Sequence, residues 1–202
     1  ANTNCSGATA NGSIQLNIDG ASPETNYSFT WFEGSSSSDP VLGTNTTGTT
    51  GGAGELATNL PSGIYTVSVT NTTASSTGCA SIATFQVFDN LPVISIAAAD
   101  LSITDVTLCS NPNGAAVVVN SISEGAAPGN LADYTFRWMD ASQNLLPDAV
   151  TPNTTATISN LPAGTYFLQA VKNAGTQGVS CASALVEFEI ADKTIGSVNV
   201  EL

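Results

Sequence analysis

One short motif occurs twice in the chain, 101 residues apart, and it limits the possible folds more than any other feature. The sequence LPSGIYTVSV begins at Leu60, and LPAGTYFLQA begins at Leu161. Each Leu-Pro-x-Gly-x-Tyr leads into a run in which apolar and polar residues alternate, as in a β-strand. Proline and glycine favour a sharp turn, and Gly63 and Gly164 are expected to supply backbone freedom before the strand. The motif therefore predicts the same turn and strand at two places.

Other landmarks repeat in the same order around this motif. Cys5 matches Cys109, Gly12 in NGSIQLNI matches Gly114 in NGAAVVVN, YSFTWF matches YTFRWM, and Cys79 matches Cys181. The separation of matching landmarks varies only from 101 to 107 residues. This pattern indicates a tandem duplication with insertions in loops. The predicted domains are residues 1–91 and 92–193, and residues 194–202 are a strand of a following domain or one donated to a neighbouring subunit.

The composition and the alternating runs predict an all-β fold. Serine, threonine, asparagine and glycine fill most polar positions, and no stretch keeps an apolar repeat of helical period. About seven short strands in roughly 100 residues are typical of an immunoglobulin-like (Ig-like) β-sandwich. In such a fold Trp31 and Trp138 are core residues. Tyr65 and Tyr166 are then the tyrosines of a tyrosine corner, whose ring fills the core while its hydroxyl bonds to the backbone.

The charge of the chain excludes some partners. Sixteen acidic residues face three basic ones, Arg137, Lys172 and Lys193, which gives a formal net charge of −13. Nucleic acids and anionic membrane surfaces both require clustered lysine and arginine, so neither partner is expected. No apolar run is long enough to cross a bilayer, and the sequence shows neither an initiator methionine nor a signal peptide. The chain therefore reads as a processed or excised piece, without direct membrane insertion.

Four cysteines allow three pairings. Because the copies repeat one another, the favoured pairing is Cys5–Cys79 and Cys109–Cys181, one disulfide within each domain. Disulfides would place the protein outside the cytoplasm, as a secreted or cell-surface protein. Zinc is disfavoured, because the chain has no histidine and no closely spaced cysteine pair.

The segments that flank the second copy suggest how units connect. Residues 92–107, PVISIAAADLSITDVT, are long enough to provide a first strand for that copy, whereas four residues precede Cys5. The segment IGSVNVEL (195–202) follows Asp192 much as PVISI follows Asp89. It is either the first strand of a further domain in a longer array, or a strand that one filament subunit donates to the next. A third reading is that it pairs within the second copy.

The ordered series Cys, Asn-Gly, Tyr-x-Phe-x-Trp, Leu-Pro-x-Gly-x-Tyr and Gly-Cys resembles the repeats of large Bacteroidota cell-surface proteins. SprB-type gliding-motility adhesins, and related larger Ig-like surface repeats, are the families that it is similar to. The resemblance covers most of the first copy, and the second copy departs from it at Ser180, where glycine is usual. It implies secretion by the type IX route, display on the outer surface, and work as an adhesin or filament stalk without catalytic residues.

No arrangement typical of an active site occurs in the sequence. Without histidine, Ser-His and Cys-His nucleophiles cannot form, and no glycine-rich phosphate loop is followed by lysine. We therefore expect neither enzyme activity nor a cofactor. Calcium is the metal that the sequence leaves open, with Asp89, Asp100, Asp105 and Asp192 near the domain ends as weak candidate ligands.

The sequence thus favours a non-catalytic structural segment of a secreted bacterial adhesin or filament, whose partners are neighbouring repeats or subunits of the same protein. A filament subunit that polymerises by donating its C-terminal strand is one alternative. A carbohydrate-binding surface module, with surface glycans or other cells as partners, is another. Sugar binding needs exposed aromatic residues, and Phe32 is the main one outside core-like positions.

Overall fold

The computed structural model describes residues 1–18, 26–42, 46–47, 55–73, 78–118, 121–147, 155–175 and 177–194. The chain divides into two units, Ala1–Leu91 and Pro92–Leu202, which we call domain 1 and domain 2. Regular structure in the described residues is β-strand apart from a few single turns of 3-10 helix. The prediction of an all-β chain is therefore confirmed, while the segment 195–202 lies outside the described residues.

Domain 1 contains two antiparallel sheets. Its described strands are β1 (Gly12–Gln15), β2 (Tyr27–Glu33), β3 (Thr46–Thr47), β4 (Leu56–Leu60), β5 (Gly63–Asn71) and β6 (Ala80–Val87). One sheet has the order β1–β4–β3 and the other has the order β2–β5–β6. Because alternate residues of a strand point to one face, the apolar face of each sheet has to be covered by a second layer.

Domain 2 repeats these sheets and adds strands to them. Its described strands are β7 (Ile94–Ser95), β8 (Leu101–Thr104), β9 (Gly114–Val118), β10 (Ser123–Glu124), β11 (Ala127–Pro128), β12 (Tyr134–Met139), β13 (Thr157–Leu161), β14 (Gly164–Lys172) and β15 (Val186–Ile190). The sheet β12–β14–β15 matches β2–β5–β6, and β13–β9–β8 contains the matches of β4 and β1. A small third sheet has the order β11–β10–β7. These additional strands lie around the segment that begins domain 2.

A β-bulge lies just before the repeated Leu-Pro-x-Gly-x-Tyr motif in both domains. Gly12 pairs with Leu60 and Ile14 with Ala57, so β4 contains one residue more than β1 between the two pairs. The pairs Gly114–Leu161 and Ala116–Ile158 show the same bulge in domain 2. Its left-handed residue is an asparagine in each case, Asn59 with φ of 57° and Asn160 with φ of 59°. Asparagine tolerates this region better than most residues, and a bulge turns the strand towards the corner.

The left-handed residue before the turn is thus the asparagine. The predicted backbone freedom is used at Gly164, whose φ of 158° is one that L side chains rarely adopt, but not at Gly63, which has no positive φ. A Cβ added to either glycine would make only ordinary contacts with the following tyrosine ring. The glycine that cannot be replaced lies earlier, since a Cβ on Gly12 would stand 2.4 Å from the carbonyl oxygen of Leu60.

Both repeated tyrosines form the corner that the motif predicts. The Tyr65 hydroxyl donates to the carbonyl oxygen of Pro61 at 2.9 Å, and the Tyr166 hydroxyl donates to that of Pro162 at the same distance. Both rings are buried, and burial raises the pKa of each phenol, with Glu33 contributing at Tyr65. The corner fixes the turn from one sheet to the other against the core.

The core of each domain lies between its two sheets. In domain 1 it joins Ile14, Ala57 and Leu60 of one sheet to residues of the other, which are Phe29, Trp31, Tyr65, Val67 and Val87. In domain 2 it contains the matching residues and, in addition, Ile94, Ile96, Val106 and Ile122. Trp138 is fully buried, packs edge-on against Phe188 with ring centroids 5.7 Å apart, and donates from Nε1 to the Thr155 carbonyl.

In each domain, a short segment on the N-terminal side runs parallel to the segment that follows the last strand. Asn2 bridges Asp89 in domain 1, and Val106 bridges Asp192 in domain 2. In domain 2 the amide of Val106 donates to the Ala191 carbonyl, and the amide of Lys193 donates to the Val106 carbonyl. An asparagine side chain holds the start of each segment, because Asn11 and Asn113 accept from the amides of Thr3 and Thr107 at 2.8 Å.

Replacing Trp138 by alanine is expected to lower the free energy of unfolding of domain 2 by about 3–5 kcal/mol, because it leaves a large cavity in a closed core. Arg137, the exposed neighbour on the same strand, is the matched control. Arg137→Ala is expected to change stability by less than about 0.5 kcal/mol. Thermal and denaturant unfolding followed by near-UV circular dichroism measures both, and equal unfolding midpoints for the two variants would contradict the placement of Trp138.

Candidate functional site

The segment that begins domain 2 closes one end of its core. Ile94 and Ile96 are buried there, one on each side of Ser95, and pack with Ile122 and Tyr134. The backbone of the segment is held as well, since β7 pairs with β10 and the amide of Gly125 donates to the Val93 carbonyl. We call residues 92–96 the closing segment. Its two isoleucines cover the end of the sandwich that the sheets β12–β14–β15 and β13–β9–β8 leave open.

A buried ion pair fixes the strand that holds the closing segment. The ammonium of Lys172, the last residue of β14, contacts Oε1 of Glu124 on β10; the lysine side chain is buried and the glutamate side chain is 22% exposed. The Tyr134 hydroxyl donates to the same carboxylate oxygen at 2.5 Å. The hydrogen bond from Lys172, followed by that from Tyr134, lowers the pKa of Glu124, while burial and this carboxylate raise the pKa of Tyr134. The charges compensate one another in a site with little water.

Domain 1 has an open apolar groove at the matching place. The groove has a volume of about 440 Å³. Its described lining contains no charged side chain and includes Leu16, Tyr27, Val67, Val69, Cys79 and Phe85. The described residues of domain 1 contain no counterpart of Ile94 and Ile96. We call this feature the domain 1 groove.

Backbone hydrogen bonds show that the groove and the closed end of domain 2 are equivalent. The amide of Asn71 donates to the Cys79 carbonyl, and the amide of Lys172 donates to the Cys181 carbonyl, both at 2.9 Å. Tyr27 pairs with Asn71 just as Tyr134 pairs with Lys172. These matches align the wall of the groove with the wall that the closing segment covers.

Matching residues differ in burial in a consistent direction. Cys181 and Ser183 are buried in domain 2, whereas their counterparts Cys79 and Ser81 are exposed. Three further positions are buried in domain 2 and only half-buried in domain 1, namely Tyr134 against Tyr27, Ala170 against Val69, and Lys172 against Asn71. These positions are therefore more open in the domain 1 groove than their counterparts in domain 2, where the core also contains Ile94 and Ile96.

The cysteines are not paired as the repeat suggested. Cys79 and Cys109 are free and exposed, whereas Cys5 and Cys181 are disulfide-bonded, so the predicted pairs Cys5–Cys79 and Cys109–Cys181 are absent from the structure. The reason is geometric. In domain 2, Cys109 lines a small pocket with Pro162 and Ala163, just before β14, whereas Cys181 pairs with Lys172 at the end of β14.

The length of the long strand makes pairing within a domain impossible. The strand β14 contains nine residues, so its ends are about 26 Å apart. A disulfide requires Cα atoms within about 7 Å. Domain 1 is arranged in the same way, with Cys79 at the end of β5 and Asn4, the neighbour of Cys5, in a pocket with Asn59 before its start. Each domain therefore carries one cysteine at each of its two ends.

The four aspartates proposed as calcium ligands each bind donors of their own chain. Asp89 accepts from Asn2 Nδ2 and Ser62 Oγ, both at 2.8 Å, and these bonds lower its pKa. Asp100 accepts from the amide of Ala97 at 3.2 Å. No group of three or more acidic, cysteine or histidine residues suited to a metal occurs among the described residues.

The other two aspartates lie at one end of domain 2. Asp105 forms an ion pair with Lys193 at 2.6 Å and accepts from the amide of Ala191, and these bonds lower its pKa in that order. Asp192 accepts from the hydroxyl and the amide of Thr194, which lowers its pKa. Their local role is to hold the parallel pairing of the first and last segments.

Sequence reasoning missed several residues of this site. Asn59 and Asn160 stand directly before the repeated Leu-Pro in both copies, so extending the motif by one residue would have found them. Gly78 and Ser180 share a left-handed backbone, with φ of 89° and 68°, although only one of them is glycine. The ion pair of Lys172 and Glu124 has no counterpart in the first copy, where Asn71 replaces the lysine. No repeat could therefore reveal it.

Comparison with known proteins adds similar structures but no family. No protein-family model and no curated protein matches the chain. Among solved structures, the chain is similar to three N-terminal domains of the highly immunogenic outer capsid protein Hoc of bacteriophage RB49, with 17% identity, a TM-score of 0.37 and coverage of 88% of this chain and 52% of that one.

Two further structures show weaker similarity. They are the BSP domain of a biofilm-associated protein, with 18% identity, a TM-score of 0.26 and coverage of 93% and 28%, and repeats EC22–24 of mouse cadherin-23, with 10% identity, a TM-score of 0.23 and coverage of 90% and 59%. All three TM-scores lie below 0.5, and the chain spans less than two thirds of each structure. Separately, no helix among the described residues is long and apolar enough to cross a membrane.

Replacing Lys172 by methionine is expected to lower the free energy of unfolding by about 3 kcal/mol, because it leaves the Glu124 carboxylate without its cation in a largely buried site. Asn71→Met at the matching position of domain 1 is the control. No described charge faces it there, and the change removes only the two hydrogen bonds that its Oδ1 accepts from Thr73, so its effect is expected to be about 1–2 kcal/mol, smaller than that of Lys172→Met. Denaturant unfolding at pH 7 measures both variants.

The ion pair also predicts a pH dependence. Because the pKa of Glu124 is lowered in the folded protein, its stabilising contribution is complete above the ordinary value of 4.5 and is lost as the pH falls through the lowered pKa. The difference in stability between the native chain and Glu124→Gln should therefore shrink below pH 4.5, since protonated glutamate resembles glutamine. A difference that stays constant from neutral to strongly acidic pH would contradict the ion pair.

Proposed function

We propose that this chain is a non-catalytic structural segment of a secreted bacterial adhesin or filament, built from two tandem Ig-like domains. The observation that carries the proposal is that both domains repeat the same frame at matching positions. The tyrosine corner, the left-handed asparagine in the bulge and the close approach at Gly12 and Gly114 occur in both copies. A chain whose repeated residues all stabilise the fold is suited to hold other parts of a protein at a distance and to bear mechanical load.

The resemblance of its motif series to Bacteroidota surface repeats supports the same proposal. It suggests secretion by the type IX route and display on the outer surface, with neighbouring repeats or subunits of the same protein as partners. The disulfide-bonded state of Cys5 and Cys181 suits an oxidising location outside the cytoplasm. A carbohydrate-binding role has less support, since Phe32 is half-buried and its backbone bridges Val41.

The filament form of the proposal is favoured by a specific observation. The domain 1 groove exposes residues whose counterparts in domain 2 are buried in a core that also contains Ile94 and Ile96 of an extended segment. A groove of this kind suits strand donation, in which an extended segment of one unit completes the sandwich of the next. Head-to-tail donation propagates as an open polymer.

Antibodies raised against the purified chain are expected to label intact, unpermeabilised cells of the source organism in immunogold electron microscopy. Treating the intact cells with protease should remove the label, because a displayed stalk is accessible. An antibody against a cytoplasmic protein of the same cells is the matched control and should label only after permeabilisation. Label that appears only after permeabilisation would refute the surface role.

Calcium is expected to leave the melting temperature of the purified chain unchanged within about 2 °C, compared with a sample that contains a chelator. The physical reason is that Asp89, Asp105 and Asp192 already accept hydrogen bonds from their own chain. Differential scanning calorimetry measures the melting temperature, with magnesium at equal ionic strength as the control. A rise that is specific to calcium would show that the segment works with a bound metal.

A further inference from the structure

We propose that the domain 1 groove receives residues 195–202 of a second copy of this chain, and that a disulfide between Cys79 of the acceptor and Cys109 of the donor then closes the contact. The proposal deepens the filament form of the proposed function and rests on it. It names the surface that accepts the strand, the segment that is donated, and the covalent bond that locks the pair.

The chain itself shows which chemistry fills such a groove. At the equivalent place in domain 2, the closing segment adds Ile94 and Ile96 to the buried core that contains Tyr134 and Ile122. The described lining of the domain 1 groove is likewise uncharged and apolar, with Val67, Val69 and Phe85 in its wall. The occupant is therefore an extended segment with apolar residues at alternate positions.

Residues 195–202 have this pattern and stand at the corresponding distance after a domain. The sequence IGSVNVEL begins three residues after Asp192, as the closing segment begins three residues after Asp89. Val198 and Val200 alternate as Ile94 and Ile96 do, but each lies one residue farther from the preceding aspartate, at six and eight residues after Asp192 against five and seven after Asp89. The donated strand therefore enters the groove one residue later, so that its valines face the apolar wall. Eight extended residues span about 26 Å, enough to cross the end of a sandwich. Because Asp89 and Asp192 make the same parallel pairing in their domains, the two segments leave equivalent points of the frame.

The free cysteines stand where this docking would join them. Cys79 lies in the wall of the groove, and Cys109 follows Val106, which pairs beside Asp192, where the donated segment leaves domain 2. Both thiols are exposed. Their counterparts are the bonded ones, since Cys181 matches Cys79 and Cys5 matches Cys109. A disulfide between Cys79 of one copy and Cys109 of another would leave both of these thiols bonded, as Cys181 and Cys5 already are.

The covalent step is an oxidation of two thiols by an external disulfide. The thiolate of Cys109 attacks a low-molecular-weight disulfide such as oxidised glutathione, which releases one glutathione thiolate. The Cys79 thiolate then attacks the mixed disulfide, forms the Cys79–Cys109 bond and releases the second glutathione. Two protein thiols are oxidised, and one small disulfide is reduced to two thiols.

The test uses the purified full chain at increasing concentration, first with its two free thiols kept reduced and then with a glutathione redox buffer. Light scattering after size exclusion is expected to show concentration-dependent association. Non-reducing electrophoresis is expected to show a ladder of dimers, trimers and longer species. Mass spectrometry of the ladder should identify a peptide pair that joins Cys79 to Cys109. Cys109→Ser should abolish the ladder and keep the non-covalent association.

A matched pair of variants tests the groove. Ala83 lines the groove, whereas Ile82, its neighbour on β6, is exposed on the opposite face of the sheet. Ala83→Arg is expected to weaken association about tenfold or more, because it places a charge where an apolar strand docks. Ile82→Arg should leave association unchanged. A synthetic peptide of residues 193–202 should compete with association, and a scrambled peptide should not.

Three outcomes would overturn the proposal. They are a chain that stays monomeric at every concentration in the redox buffer, equal association of the Ala83→Arg and Ile82→Arg variants, and a cross-link that omits Cys79 or Cys109. Binding of the peptide to a chain that never self-associates would also overturn it, since the occupant would then come from another source. Because association is measured on purified protein, its failure is separate from a failure of surface display, which is measured on cells.

Discussion

The long strands of the main sheets have one apolar face, and that face has to be covered along its whole length. In both domains the two main sheets cover one another at the end where the tyrosine corner lies. At the other end the main sheets are not sufficient. Domain 2 is closed there by Ile94 and Ile96, and a buried isoleucine contributes about 1.5–3 kcal/mol relative to an exposed one. Among the residues that the structure describes, domain 1 has the same frame without a segment equivalent to Ile94 and Ile96 at that end.

The two copies share their frame and differ at this end. Both copies have the bulge with its left-handed asparagine and a glycine that lies close to the carbonyl oxygen of its paired leucine. Both also have an asparagine, Asn11 or Asn113, whose side chain accepts from the backbone of the N-terminal segment. Lys172 is specific to domain 2, where it binds Glu124 and so fixes the strand that pairs with the closing segment. Domain 1 has Asn71 at that position. The copy that carries its own closing segment also carries the ion pair that retains it.

The order of the repeated motifs was sufficient to predict the all-β class, because alternation and turn residues act locally. The burial of Trp31 and Trp138 and the corner hydrogen bonds of Tyr65 and Tyr166 also follow from local pattern.

The cysteines illustrate the limit of such reasoning. Repetition alone makes Cys109–Cys181 attractive, but the nine residues of β14 separate the two ends of the domain. The distance between those ends is known only once the folded path of the chain is known.

The groove was out of reach of sequence reasoning for a related reason. Cys79 and Cys181 follow similar sequences, and only their different exposure shows that one wall is covered and the other is open. The aspartates show the same limit at a smaller scale. Asp89 and Asp192 are acidic residues at matching domain ends, yet whether they are free to bind a cation depends on donors such as Asn2 and Thr194. Those donors become their neighbours only when the chain is folded.

The parallel pairing of the first and last segments has a mechanical consequence. In domain 2, Val106 and Asp192 lie side by side on segments that run in the same direction. Tension that reaches Val106 from its N-terminal side and Asp192 from its C-terminal side would draw these segments past one another in opposite senses, so the hydrogen bonds to Ala191 and from Lys193 would be loaded in shear and would have to break together. Bonds that peel apart one at a time resist less force than bonds that share the load. Asn2 and Asp89 repeat this clamp in domain 1, so a string of such domains would extend stiffly before any of them unravelled.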